Sequence, residues 1–376
     1  MNKIQMVDLR SQYEEIKEEV NQGIQEVLDT TTFIKGGKVN DFQHNLEKYL
    51  NVKHVIPVAN GTDALQIALM ALGLKHGDEV ITPTFTFIAT AEVVALLGLT
   101  PVLVDVDFDT FNISIPALKR AITPKTKAIV PVHLFGQNAD MEQIMAIAKE
   151  HKLFVVEDAC QSIGSEYTFT DGHKVQSGCM GDIGCTSFFP SKNLGCYGDG
   201  GAIFTNNDQL AARIRATANH GMVVRYYHDF VGVNSRLDSI QAAILLVKLK
   251  SLDQYTANRQ RAAAFYDHAF SGSDKLTIPA RASNSSHVFH QYTLKLKNVD
   301  RKALISFLET KEIPAMVYYP VPLHLQKAYQ SDRYKQGDFP VAEQLSECVI
   351  SLPMHTELSE EQLNFICNQV LTFVNQ

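Results

Sequence analysis

The sequence predicts an α/β fold: a mostly parallel seven-stranded sheet flanked by helices, followed by a smaller C-terminal α+β domain. Three observations lead there. Seven short apolar runs alternate with helical patterns through the first two-thirds of the chain, the signature of βαβ units. Near Leu237 this alternation gives way to a helical stripe. At 376 residues the chain also exceeds one ordinary domain, which favours one large and one small. The expected division is 1–250 for the large domain, with a helical N-terminal segment, and 251–376 for the small one.

The expected strands are 55–58, 79–82, 102–106, 128–132, 154–157, 186–189 and 202–204. Each is built around a short apolar run, as a strand covered on both faces requires. Between the first two, Leu65, Ala68, Leu69 and Leu72 fall on one helical face. Further on, Leu237, Ile240, Ile244, Leu245, Leu249 and Leu252 predict a long helix reaching about Ala269. Residues 292–296 then read as a strand, 301–311 as a helix and 315–319 as another strand. Ser359-Glu-Glu-Gln362 has the form of a capping box opening a final helix, with Leu363, Ile366, Val370 and Phe373 inward.

Composition narrows the class of function. Hydrophobic residues make up 45% and charged residues 20% of the chain, as in a soluble globular protein. A net charge of −7 argues against a nucleic-acid or anionic-membrane partner. No apolar stretch approaches the ~20 residues of a membrane span. The opening residues lack the apolar core of a secretory signal. The six cysteines show no CxxC spacing, so reduced thiols in a cytoplasm are expected, with Cys185 and Cys196 as small apolar packing groups. No metal enters the reading.

The chemistry centres on Lys192, in Thr186-Ser-Phe-Phe-Pro-Ser-Lys192, and on Asp158, which follows the strand Phe154-Val-Val-Glu. A lysine that forms an imine with an aldehyde cofactor and a carboxylate that keeps a pyridine nitrogen protonated are what pyridoxal 5′-phosphate (PLP) chemistry needs. Asp158 also stands at the carboxyl end of a strand, where ligands collect in open α/β sheets; a capping aspartate is the plain alternative. Asn60-Gly61-Thr62-Asp63 marks a helix start suited to a phosphate, although alone it reads as an ordinary N-cap with a glycine turn. Phe87 could lie on a cofactor ring or be a core residue. Gln161 could reach a phenolic oxygen or be a surface side chain. Ser187 can donate to a phosphate, and the glycines at 195, 198, 200 and 201 permit close backbone approach.

Taken together, Ala59-Asn-Gly-Thr-Asp-Ala-Leu, Val156-Glu-Asp-Ala-Cys-Gln-Ser, Ser187-Phe-Phe-Pro-Ser-Lys192, Gly198-Asp-Gly-Gly, Val233-Asn-Ser-Arg236-Leu-Asp and Tyr319-Pro-Val-Pro-Leu-His324 resemble the DegT/StrS family of sugar aminotransferases, which are fold-type I PLP enzymes. The resemblance covers nearly the whole chain. It implies Lys192 as the Schiff-base lysine, Asp158 as partner of the ring nitrogen, Gln161 near the cofactor hydroxyl and Phe87 stacked on the ring. Gly61, Thr62, Asp63 and Ser187 would surround the phosphate. It further implies a homodimer with shared active sites, in which Asn234 reaches the phosphate of the neighbouring subunit. The implied substrates are L-glutamate and a nucleotide-linked keto sugar. The nearest subgroup is similar to aminotransferases of UDP-2-acetamido-2-deoxy-3-oxo-glucuronate in bacterial surface polysaccharide pathways. That subgroup commonly has His-Tyr-Pro where this chain has Tyr318-Tyr319-Pro320, which leaves dTDP-linked 3-keto-6-deoxy sugars open. Arg236, a planar fork for a carboxylate, has a structural ion pair with Asp238 as its alternative role. Tyr318, Tyr319 and His324 complete the candidate sugar contacts. Histidine in place of Lys192 would point instead to the family's dehydratases.

Overall fold

In the computed structural model, which describes residues 3–376, the chain opens with two helices, α1 (Leu9–Thr30) and α2 (Gly37–Leu50). Asp8 caps the first by accepting the Ser11 N–H. The strand β1 (His54–Val58) runs into α3 (Gly61–Ala71), which is buried on most of its surface and lies against the sheet. Next come β2 (Glu79–Pro83), α4 (Ala89–Leu96), β3 (Thr100–Val104), α5 (Ile115–Ala121), β4 (Thr126–Ile129), α6 (Met141–His151) and β5 (Phe154–Asp158). A short hairpin, β6 (Glu166–Thr168) and β7 (Lys174–Gln176), precedes β8 (Ile183–Ser187) and β9 (Gly201–Thr205).

Seven of these strands form one sheet in the order β1-β9-β8-β5-β4-β2-β3. Pairing is parallel from β3 to β8, and β9 alone runs against its neighbours β8 and β1. The parallel strands therefore deliver their carboxyl ends to one edge, and the loops that follow β2, β5 and β8 meet there.

One strand sits three residues earlier than its apolar run suggests. The expected 186–189 is replaced by Ile183–Ser187, a segment made inconspicuous by Gly184. That glycine is required: a Cβ there would stand 1.8 Å from the Gly178 carbonyl oxygen. Beyond Ser187 the backbone leaves the ladder to build the lysine loop.

After α7 (Asp208–Thr217) an exposed two-stranded hairpin, β10 (Met222–Val224) and β11 (Tyr227–His228), stands off the sheet. The expected long helix is two, α8 (Ser239–Leu249) and α9 (Leu252–Phe270), because Ser251 leaves helical geometry at φ −105° and ψ 4°. The C-terminal sheet pairs β12 (Leu276–Thr277), β13 (Tyr292–Leu296) and β14 (Val349–Leu352), with α10 (Arg301–Thr310), α11 (Pro340–Cys348) and α12 (Glu360–Val374) around it. Its core gathers Tyr266, Phe270, Tyr292, Leu304, Leu352 and Ile366. Residues 315–319 form no strand; a single bridge joins Met316 to Ser351, since Pro314, Pro320 and Pro322 lack the amides a ladder needs. The capping box of Ser359 and Gln362 is present. All six cysteines are free thiols. Among the described residues no helix is long and apolar enough to cross a membrane.

Candidate active site

A cavity of about 590 Å³ opens where the loops after β2, β5 and β8 meet the segment that leads into β13. Asp158, the last residue of β5, is 5% exposed at its floor. Its carboxylate is aimed by two donors: the Thr90 hydroxyl at 2.8 Å to Oδ2 and the Cys160 amide at 3.2 Å to Oδ1. The preceding residue, Glu157, is fully buried and accepts from the backbone of Gly178, Met180 and Gly181 at 3.0, 2.7 and 2.6 Å, while His133 Nε2 lies 2.8 Å from it. The His133 amide in turn donates to the Asp158 carbonyl at 3.0 Å.

Lys192 lines the same cavity. Its loop is fixed by the Lys192 amide on the Phe189 carbonyl, by Asn193 Nδ2 on the Val288 carbonyl at 2.9 Å and by buried Lys248 Nζ on the Gly195 carbonyl at 2.7 Å. Gly195 is required at this bend, since a Cβ would lie 2.3 Å from the Pro190 carbonyl oxygen. Among the described residues the Lys192 amine has no hydrogen-bond partner. Burial lowers its pKa from the ordinary lysine value, partly opposed by Cys160 and Asp158. An amine easily made neutral is what a proton-transferring lysine needs.

The N-terminus of α3 forms the next wall. Asn60 accepts the Asp63 N–H at 2.8 Å, leaving the Gly61 and Thr62 amides at the positive end of the helix. Gly61 allows the end of β8 to come close: a Cβ on it would stand 2.7 Å from the Ser187 Cβ and 3.0 Å from the Cys160 sulfur. The result is a concave anion cradle of backbone amides and the Ser187 hydroxyl. Phe87 lines the cavity and is 55% exposed, so its ring is open to a ligand there. Gln161 is oriented at both ends, accepting the Phe135 N–H at 2.8 Å and donating to the Tyr319 hydroxyl at 3.1 Å.

Gly61, Thr62, Phe87, Asp158, Gln161, Ser187, Lys192, Tyr318 and Tyr319 all line this one cavity. The other candidates lie elsewhere. Asp63 is tied to Ser235, whose hydroxyl donates to it at 2.6 Å, so it anchors the loop that bears Asn234 and Arg236. Asn234 is exposed. Arg236 is half-buried and, among the described residues, makes no ion pair, with Asp238 or otherwise. His324 is buried with both ring nitrogens engaged, Nδ1 with Thr84 and Nε2 with Glu343, each at 3.0 Å. Thr90, His290 and Gln291 carry no motif and are not legible in the sequence, while Cys160 lies within the Val156–Ser162 motif without being singled out by it.

The model of the DegT/DnrJ/EryC1/StrS aminotransferase family matches residues 14–371. The chain belongs to this family. A pleiotropic regulatory protein of Geobacillus stearothermophilus is 46% identical over 98% of this chain and 98% of its own. The UDP-2-acetamido-2-deoxy-3-oxo-D-glucuronate aminotransferase of Pseudomonas aeruginosa is 46% identical over 97% and 98%. Among solved structures, a DegT/DnrJ/EryC1/StrS aminotransferase of Brucella abortus superposes with a TM-score of 0.93 at 42% identity, covering 99% of this chain and 100% of its own. NtdA of Bacillus subtilis, with bound cofactor PMP, does so with a TM-score of 0.89 at 34% identity, covering 96% and 82%. The protein is thus a fold-type I, PLP-dependent aminotransferase. The cavity fits that cofactor: an anion cradle, a flat exposed ring, an oriented carboxylate and an unpaired amine face one space.

Proposed function

We propose that this aminotransferase moves the amino group of L-glutamate to a nucleotide-linked keto sugar, UDP-2-acetamido-2-deoxy-3-oxo-glucuronate, in bacterial surface polysaccharide (O-antigen) biosynthesis in the cytoplasm. The observation that carries the reading is the shared cavity of Lys192 and Asp158 in a chain so similar to the Pseudomonas aeruginosa enzyme. PLP supplies the electron sink that stabilises negative charge at the carbon bearing the amine. In this assignment Asp158 keeps the ring nitrogen protonated, Gln161 meets the ring hydroxyl and Phe87 covers one face and excludes water. Gly61, Thr62 and Ser187 hold the phosphate.

Lys192 Nζ would take the proton from the glutamate Cα and pass it on to the cofactor C4′, ending the half-reaction as it began. In the second half-reaction it returns one to the sugar carbon that receives the amine. One lysine serves both directions because each half-reaction restores its starting protonation.

Arg236, with no ion-pair partner among the described residues, suits a carboxylate, that of glutamate in one half-reaction and of the uronate in the other. Tyr318 and Tyr319 offer hydroxyls to the sugar. The β10–β11 hairpin exposes Val223, Val224, Tyr226 and Tyr227, an apolar surface that favours association. It supports a homodimer with shared sites, in which exposed Asn234 reaches the phosphate bound by the neighbouring subunit. His324, already paired at both nitrogens, would act on the sugar only by holding Thr84 and the 320–325 turn. We take 1–250 as the cofactor-binding unit and 251–376 as the second unit.

Tyr318, where the subgroup commonly has histidine, favours a second reading, a dTDP-linked 3-keto-6-deoxy sugar as acceptor. Glutamate-dependent amination assayed against UDP- and dTDP-keto sugars tests both. Selective turnover of the UDP-3-oxo-uronate supports the first, and selective turnover of a dTDP sugar replaces it. A cofactor that neither glutamate nor any other amino acid converts would leave a regulatory, non-catalytic role.

A further inference from the structure

His290 has no role in the site as assigned so far, yet it lines the cavity and is 6% exposed. It precedes β13 and comes from outside the seven-stranded sheet. Its backbone is clamped on three sides. Arg259 donates to the carbonyls of Phe289 and Met354 at 3.1 and 2.9 Å, Asn193 to that of Val288 at 2.9 Å, and the Val288 amide to Gly136 at 2.9 Å. The ring is therefore presented by a rigid segment tied to the residue next to Lys192.

Among the described residues neither ring nitrogen of His290 has a hydrogen-bond partner, and Nδ1 is sealed from solvent without one. A sealed Nδ1 is out of reach of any ligand, so the nitrogen that a molecule in the cavity can meet is Nε2, and an unpartnered polar group in a cavity wall calls for a ligand. Burial, with Lys192 and Arg259 nearby, pushes the imidazole well below its ordinary pKa. A neutral imidazole offers one donor and one acceptor. That suits a hydroxyl or carbonyl oxygen, whereas a carboxylate is better met by a cation such as Arg236. The Gln291 side chain beside it also lines the cavity without a partner among the described residues and offers the same neutral chemistry.

We propose that His290 contacts the keto-sugar acceptor, hydrogen-bonding through Nε2 an oxygen of the sugar ring's substituents, and so serves one half-reaction and not the other. The inference rests on the keto-sugar reading above and names a specificity contact for it. Its test separates the half-reactions in the holoenzyme. With His290→Phe, glutamate should convert the cofactor spectrum within about twofold of the wild-type rate. The acceptor KM should rise roughly five- to tenfold, the range of one lost hydrogen bond, with kcat less affected. Binding of unreactive UDP-N-acetylglucosamine, followed by calorimetry, should weaken by a similar factor. His290→Gln, which keeps a donor and an acceptor, should recover part of both losses and stands in if the phenylalanine variant misfolds. Wild-type acceptor KM and analogue affinity in these variants, or equal slowing of both half-reactions, would overturn the proposal. A wild-type enzyme that aminates no nucleotide keto sugar would sink the functional reading itself and this contact with it.

Discussion

The Thr90 hydroxyl donates to Asp158 Oδ2 at 2.8 Å across 68 residues of sequence. This bond fixes the carboxylate that the cofactor ring must meet. A hydrogen bond to a charged group contributes about 1.5–3 kcal/mol. Thr90→Val should therefore slow the glutamate half-reaction by about tenfold or more, while Thr90→Ser stays within about threefold. Stopped-flow absorbance of cofactor conversion measures both, and equal rates in valine and serine variants would remove Thr90 from the account.

Arg236 has no carboxylate partner within the described chain. If it awaits a substrate carboxylate, Arg236→Ala should raise the KM for glutamate or for the uronate acceptor by about 10- to 100-fold. The cofactor spectrum should not change. Steady-state kinetics with each substrate varied in turn provide the check, and unchanged constants for both would exclude the assignment.

Lys248 is 1% exposed beneath the lysine loop, and burial lowers its pKa to about 8. The unfolded chain holds that proton more tightly, near 10.5. Between those values the unfolded state binds more protons, so stability rises with pH across this window. A shift of this size corresponds to about 3 kcal/mol. Urea unfolding at pH 8 and pH 10.5 should show that gain in the wild type relative to Lys248→Met, and parallel pH profiles would contradict it.

Glu157 and His133 are both fully solvent-inaccessible and joined at 2.8 Å. Glu157→Ala would strand His133 and three backbone amides, with an expected loss of about 3–5 kcal/mol in denaturant unfolding. A loss below about 1 kcal/mol would mean that water or a neighbouring group replaces the carboxylate.

The sequence carries the strands and the lysine because these are local signals: a short apolar run, or Lys192 after Ser-Phe-Phe-Pro-Ser. The apolar run at 186–189 points past the strand Ile183–Ser187, because Gly184, demanded by the Gly178 carbonyl, looks like a strand breaker when its neighbour is unseen. Thr90 and His290 were illegible for a related reason. Each acquires its meaning from groups far away in sequence, one on Asp158 and the other in the wall beside Lys192. The engaged ring of His324 shows the converse, a residue that follows a suggestive Pro-Val-Pro-Leu and yet is spent on Thr84 and Glu343.

The most direct test of the account is borohydride reduction of the PLP-loaded protein followed by peptide mass mapping. Reduction should fix one phosphopyridoxyl group on Lys192, and prior incubation with glutamate should abolish that label. A label on another lysine, or one that glutamate leaves untouched, would contradict the account.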